Sequence, residues 1–471
     1  MPASMSFEFS FKSSPQQSRT EQLPMHILLL DNFSGHRNNS ALAERSFASV
    51  DIDNFDQLMA RHAPQLDLDL SGTLIHLEFH HLEDFHPDTL FRNVPLFAKL
   101  REQLKKDFVS TTPVASNTAP AGGPDNPFQS LLGGELKPAA AKTSSLDALI
   151  KQIVAPHLVT ATAPAELPIL QDAACSLLMR AILQHPDFKA LEATWRGVHF
   201  MLTQLELDQE LRLFLLDASK AELAADCVAH TSQLEQSASF KLLAERWQHM
   251  ADPVPWSLLV GAYHFDASEA DVNLLAALGA IAQHVNAPWL ASADSSIVGC
   301  TNYAEQAEPR EWLMPDSEQQ TRWIALCKSA QAPWLGLVMQ SMLLRLPYGA
   351  NTDALETFKF EEITDLPSHD QFLWSSGALA ATALIAQSFL EDSWELNIGR
   401  IQEIGQLPAY TYRVQGEVVL QACAESALLE RAADVGIANG LMPLQGFRNK
   451  NAVRLLRFQS LARTALAGRW G

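Results

Sequence analysis

No apolar run in the 471-residue chain approaches the ~20 residues that a membrane-spanning helix needs. The N-terminus, Phe7-Glu8-Phe9-Ser10-Phe11-Lys12, lacks the charged stretch and apolar core of a secretory leader. Cysteine is scarce: Cys175, Cys227, Cys300, Cys327 and Cys423 are odd in number, with no C-x-x-C pair and no metal-like grouping with histidine. A reducing cytoplasm is the expected location. Positive charge is short as well, 34 Lys and Arg against 54 Asp and Glu, for a formal net charge of −20 and a pI near 5.1. Such a balance disfavours a phosphate backbone, so no nucleic-acid partner is expected. G-x-S-x-G, H-E-x-x-H, S-x-x-K, Walker and G-x-G-x-x-G patterns are all missing. Without a recognisable nucleophile, zinc pair or phosphate loop, no catalytic residue, metal ligand or cofactor is predicted, and none of these chemistries defines the chain.

What is present is ordinary globular material, 47% hydrophobic and 19% charged, enough for roughly two to four domains of about 100–200 residues. Residues 5–11 alternate, with Met5, Phe7, Phe9 and Phe11 on one side, as in an N-terminal strand or arm able to pair with another chain. Leu23-Pro24-Met25-His26-Ile27-Leu28-Leu29-Leu30 reads as a buried strand that ends in the turn Asp31-Asn32-Phe33-Ser34-Gly35, where a single glycine supplies no phosphate cradle. Asp53 or Asn54 is placed to cap the next helix. Asp51 and Asp53 lack a third ligand or a histidine at a supporting spacing, so no metal or acid/base site is predicted from these paired carboxylates. Leu66, Leu68 and Leu70 alternate with aspartates, and Leu74-Ile75-His76-Leu77-Glu78-Phe79 follows, which predicts a hairpin across Ser71-Gly72. His76, His80, His81 and His86 resemble a metal cluster only in sequence, because on a strand positions 76 and 80 are ~13 Å apart. A helix over Val94 to Leu104 closes a first domain at residues 20–108.

Residues 109–143 turn to Thr, Pro, Ala, Gly and Ser, the content of a linker. Within the connection 109–165, positions 145–154 form an amphipathic helix that places Leu146, Leu149, Ile150 and Ile153 on one face. A tethered apolar stripe suits a groove on a partner, and equally a groove on its own domain. Beyond it lies a second domain, 166–471. There Phe188, Leu191, Trp195, Val198 and Leu202 recur at helical spacing, and Glu192 and Arg196 stand one turn apart. At the C-terminal end, residues 435–471 contain Arg448, Lys450, Arg454, Arg457, Arg463 and Arg469 and no acid.

The run from Leu183 to Phe200 holds His185-Pro186, Leu191-Glu192 and Trp195-Arg196-Gly197 in an order that resembles the I-L-x-H-P-x-F-x-x-L-E-x-x-W-R-G-L-H signature of the large subunit of the type VI secretion contractile sheath. Arg345-Leu346-Pro347-Tyr348-Gly349 and Phe358-Lys359-Phe360-Glu361-Glu362 are similar to that family's R-L-P-Y-G and F-x-F-E-E. Asp31-Asn32-Phe33-Ser34-Gly35, Arg45 to Asp56 and Leu82 to Asp88 resemble the small sheath subunit. There are departures. Asp31-Asn32 replaces Gly-Asp, Ala262 stands where the family has an aspartate, and Asn397-Ile398-Gly399-Arg400 exchanges an arginine and a glycine. The family's large subunit also continues with a helical part past the region where this chain stops, at Gly471.

The resemblance implies an α/β fold of mixed sheets, α+β in character, with two sheath-subunit-like domains fused in one chain. It implies a structural, non-enzymatic component of a contractile injection machine that is a homo- or hetero-oligomer. Implied partners are other sheath or baseplate subunits, the inner tube protein, and an AAA+ disassembly ATPase gripping Leu146, Leu149, Ile150 and Ile153. Arg454 and Arg457 are the expected contacts to an acidic surface of another component. Two alternatives stand beside this: an accessory cap, baseplate or regulatory protein with a sheath-derived fold, and a cytosolic α/β enzyme whose site is scattered in sequence.

Overall fold

The run from Met25 to Leu30 has no polar face, which suits a strand covered on both sides. It forms β1 (Met25–Asp31), with Ile27 and Leu29 in one hydrophobic cluster and Leu28 and Leu30 in another. The computed structural model describes residues 7, 9, 23–35, 40–111, 167–250, 253–313 and 315–470. The amphipathic segment 145–154, with Leu146, Leu149, Ile150 and Ile153, lies outside the described residues.

After β1 the chain makes β2 (Ala48–Val50) and α1 (Phe55–His62). Asn54 occupies the N-cap of α1, but its side chain does not cap. The Asp51 carboxylate instead accepts from the Asp53 and Asn54 amides at 3.0 and 2.8 Å, and Asn54 Oδ1 accepts from Asp51 N at 3.1 Å, so the expected cap is replaced by an Asx turn one step earlier. The hairpin β3 (Gln65–Leu70) and β4 (Thr73–Glu78) is found where expected, with φ of 53° at Ser71 and 84° at Gly72. Two successive positive φ values match the right-handed twist of the strands. Gly35 at φ 64° closes against this hairpin, and a Cβ there would meet Gln65 O at 2.4 Å.

Next come α2 (Pro87–Asn93), α3 (Pro95–Thr111), α4 (Leu167–Leu183) and α5 (Pro186–Gln204). Two of them start on the same tripeptide, His86-Pro87-Asp88 and His185-Pro186-Asp187. In each the histidine ring accepts from the aspartate amide, at 3.2 and 3.3 Å, and proline fills the first helical position. The predicted stripe of α5 is buried throughout, and Trp195 Nε1 donates to Phe33 O at 3.0 Å, which pins the helix to the turn after β1.

The remaining elements alternate strand and helix: β5 (Leu211–Asp217), α6 (Lys220–Ala229), β6 (Leu258–Phe265), α7 (Glu269–Val285), β7 (Trp289–Ala293), α8 (Ser317–Cys327), β8 (Leu335–Met339), β9 (Met342–Leu343), β10 (Trp374–Ser375), α9 (Gly377–Asp392), β11 (Glu403–Ile404), β12 (Thr411–Val414), β13 (Glu417–Leu420), α10 (Glu430–Ala438), β14 (Leu441–Gly446) and β15 (Val453–Leu455). Nine strands form one sheet in the order β11-β15-β14-β8-β7-β6-β1-β5-β2. Its middle, β14 to β5, is parallel; β2 pairs antiparallel with β5, β15 with β14, and β11 with β15. Helices α4, α5 and α9 cover one face and α6, α7, α8 and α10 the other, an α/β architecture with a core on each side of the sheet. β1 runs between β5, in register from Met25↔Leu211 to Asp31↔Asp217, and β6, from Ile27↔Leu258 to Leu30↔Gly261. A strand from before residue 109 is thus interior to a sheet whose other parallel strands follow residue 166.

Candidate assembly site

Three sequence-distant motifs meet around one guanidinium. Arg345 donates through Nε and Nη2 to the two Glu192 oxygens at 2.7 and 3.2 Å, and through Nη1 and Nη2 to the two Glu362 oxygens at 2.7 and 3.1 Å. Arg196 Nε reaches Glu192 Oε1 at 2.7 Å, the one-turn pair expected on α5, and its Nη2 reaches the Tyr348 hydroxyl at 3.0 Å. Tyr348 N donates to Glu362 Oε2 at 2.9 Å, and the Arg345 guanidinium lies over the Tyr348 ring at 4.4 Å. Glu192 is 0% exposed and Glu362 2%. Burial alone would push the Glu192 carboxyl up, but charge and hydrogen bonds from Arg345 and Arg196 outweigh it and hold the group below its ordinary range. Bidentate Arg–carboxylate pairs have the geometry that offsets desolvation. The network ties the Arg345–Gly349 and Phe358–Glu362 stretches to α5.

The same loop is clasped from the N-terminal segment. Asp88, 6% exposed, accepts from the amides of Glu356 and Thr357 at 2.9 and 3.0 Å and from Thr357 Oγ1 at 2.5 Å. Its burial works toward a raised pKa, and these hydrogen bonds bring the net shift below the ordinary value. The His86 ring stands edge-on to Tyr348 at 5.0 Å. Sequence reading missed Asp88 and the convergence on Arg345; the only signal was that these motifs are polar inside apolar surroundings.

A second charged cluster sits where β1 and β5 end. Asp31 and Asp217 are register partners, Thr194 Oγ1 donates to Asp31 Oδ2 at 2.8 Å, and Ser34 N donates to Asp217 Oδ1 at 3.2 Å. Burial raises the Asp31 pKa to about 7, and the Asp217 charge adds to it against the hydrogen bonds from Thr194 and Asn32. Arg45 donates to the Asp217 carbonyl at 2.6 Å and pairs with Glu222 at the start of α6. Open clefts lie away from this second cluster, about 700 Å³ beside Phe358 and Phe360 of the clasped loop and about 690 Å³ beside Tyr303 and Trp312. The latter holds His369 and Glu425, 3.4 Å apart. Burial works against the His369 cation, yet Glu425 and Asp370 raise its pKa above the ordinary value. That acid and base pair by charge, and Glu425 also accepts from Ser341 N at 2.8 Å.

Among the described residues no group of three or more His, Cys, Asp or Glu is placed to hold a metal, and no helix is long and apolar enough to cross a membrane. His76 pairs with Asp67 at 2.8 Å. All five cysteines are free thiols, pushed up to about 11 or 12 by burial. Of the predicted contact residues, Arg454 and Arg457 are exposed. Arg454 points out from β15 and its Nη2 donates to Gln402 Oε1 at 3.0 Å. The basic C-terminal stretch is not uniformly outward: Lys450 pairs with Glu403, and Arg469 is buried, its pKa lowered by burial to about 10.

The nine-stranded sheet is cored on both faces, and its densest polar network joins loops to a helix, an α/β build held by internal clamps. Residues 169–462 match the family model described as VipB, tail sheath N-terminal domain, and residues 7–110 match the one described as VipA of the type VI secretion system. The type VI secretion system sheath protein TssC1 of Pseudomonas aeruginosa is 30% identical over 353 residues, 72% of this chain and 71% of that protein. The chain belongs to the type VI secretion sheath family and is a structural sheath component that assembles with other sheath subunits.

Proposed function

We propose that this chain is a one-chain sheath protomer, in which residues 20–108 take the part of the small subunit and residues 166–471 that of the large one. Residues 1–19 are an arm and 109–165 a tether. One observation carries the reading: β1 pairs along its whole length with β5, seven rungs that need no second chain. Covalent connection raises the effective concentration of the two parts into the mM range, so the joint forms within the chain. The protomer works in the cytoplasm, catalyses nothing, and contacts the inner tube and baseplate. Leu146, Leu149, Ile150 and Ile153 present an apolar stripe to a hexameric AAA+ ATPase, while Arg454 and Arg457 meet an acidic surface. Deleting Ser144 to Val154, or Leu149→Asp with Ile150→Asp, should abolish ATPase binding and leave folding intact, because an unpaired charge in an apolar groove is costly. Unchanged binding in a pull-down removes the stripe from the reading.

A second reading, an accessory cap or regulator, is favoured by a different observation. Phe7 and Phe9 pack partly buried on one core cluster of this same chain and Trp470 on the other. The outermost strands β2 and β11 are only three and two residues long, so the sheet ends offer little backbone to a neighbour. Electron microscopy of the purified chain, alone and with its neighbouring secretion components, separates the two. Rings or tubes support the protomer; single particles found only at the ends of a sheath support the cap.

A further inference from the structure

The outer face of the β3–β4 hairpin and the outward side of β15 carry opposite charge at different ends of the fold. On the hairpin the residues turned away from the core are Asp67 and Asp69 on β3 and Leu74, His76 and Glu78 on β4, with Asp67↔His76 and Asp69↔Leu74 directly across from each other. Leu74 is 68% exposed beside these carboxylates. The hairpin is a two-stranded sheet of its own, bridged by Gly35–Gln65 to the end of β1. β1 is five places from β15 in the large sheet, about 24 Å at ~4.8 Å per strand, so Arg454 and Arg457 are beyond reach of their own hairpin. They lie in the stretch 435–471, which contains no acid, and the Glu403 that faces Arg454 from β11 is paired with Lys450.

We propose that Arg454 and Arg457 of one copy dock on the outer face of the β3–β4 hairpin of a second copy, meeting Asp67 and Asp69 around Leu74. The contact rests on reading the chain as a polymerising protomer, and it specifies which surfaces meet. Because the two surfaces differ and lie apart, the contact is head-to-tail and extends into a ring or a helical row. Arg454 spends one of its five N–H donors on Gln402, which leaves donors for the neighbour. Exposed ion pairs are individually weak and screened by salt, so the contact draws on several at once and loosens as ionic strength rises.

Sedimentation velocity on the full chain tests it. Asp67→Arg with Asp69→Arg should weaken self-association at least about tenfold at low salt, as should Arg454→Glu with Arg457→Glu. An equal mixture of the two variants should restore association, since each reversed face then finds its complement. Asp67→Asn with Asp69→Asn keeps the acceptor that binds Gly72 N at 2.6 Å in the turn, and should give a smaller loss in the same direction without disturbing the hairpin. Wild-type protein that stays monomeric at every salt concentration overturns the one-chain protomer and this contact together. Wild-type protein whose association is matched by either charge-reversed variant, or by both, overturns the contact alone.

Discussion

Glu192 is fully buried and Asp31 is partly so, and the two carboxyls have gone opposite ways. Glu192 has two guanidiniums within hydrogen-bond distance and stays below its ordinary pKa. Asp31 has a hydroxyl, an amide and a second aspartate, and rises to about 7. Depth of burial therefore does not decide the charge state of an interior acid; the partner does. The two sites also differ in origin. Glu192, Arg345 and Glu362 stand where the chain keeps its family's letters, whereas Asp31 replaces a glycine of the small-subunit pattern. The first is a fixed clamp between loops and α5, and the second is a protonation-sensitive joint where β1 meets β5.

The largest expected effect breaks the clamp. Arg345→Met strands Glu362 without its cation in an apolar interior, leaves Glu192 with Arg196 alone, and should cost about 3–5 kcal/mol, read as a lower urea midpoint. Adding Glu362→Leu, with Glu192 left paired to Arg196, should recover much of that loss, because the penalty is the orphaned charge. If Arg345→Met alone is as stable as the wild type, the clamp contributes nothing.

Asp31→Asn sharpens the contrast. A carboxyl with a raised folded pKa contributes stability that is complete below its ordinary pKa of 3.8 and is lost as pH rises through about 7. Wild-type protein should lose up to about 4 kcal/mol from this group across that window, and the variant should not. At ~pH 8 the variant should be more stable by roughly 2–4 kcal/mol, with the gap closing toward ~pH 4. Thermal melts across pH check it; parallel curves for the two proteins would contradict the raised pKa. Glu192 has the opposite sign, since a depressed carboxyl contributes stability above its ordinary pKa that is lost as pH falls through the folded value.

Thr194→Val is the smallest change. It removes the hydroxyl that donates to Asp31 Oδ2 and should cost about 1 kcal/mol at ~pH 8, less at ~pH 4, where the acceptor is protonated. Loss of equal size at both pH values would mean that the hydroxyl matters through its other bond, to Ala190 O at 3.0 Å.

Local pattern was enough wherever one stretch settles its own geometry. The unbroken run Met25 to Leu30 required a strand covered on both faces. Ser71-Gly72 between alternating leucines required a tight hairpin. The spacing from Phe188 to Leu202 required a buried helical face, and the family letters pointed to a sheath protein. The Asn54 cap failed because its side-chain oxygen accepts from the Asp51 amide in the preceding turn and not from the first turn of the helix. Only tertiary structure placed β1 between β5 and β6, since strand order depends on contacts more than 180 residues apart and periodicity says nothing about neighbours. Likewise, Arg345 meets Glu192 across 153 residues and Glu362 across 17. The same short-range letters allow a solvated arginine or a buried one. Which it becomes is set by desolvation, and desolvation exists only once the helices have closed over the sheet.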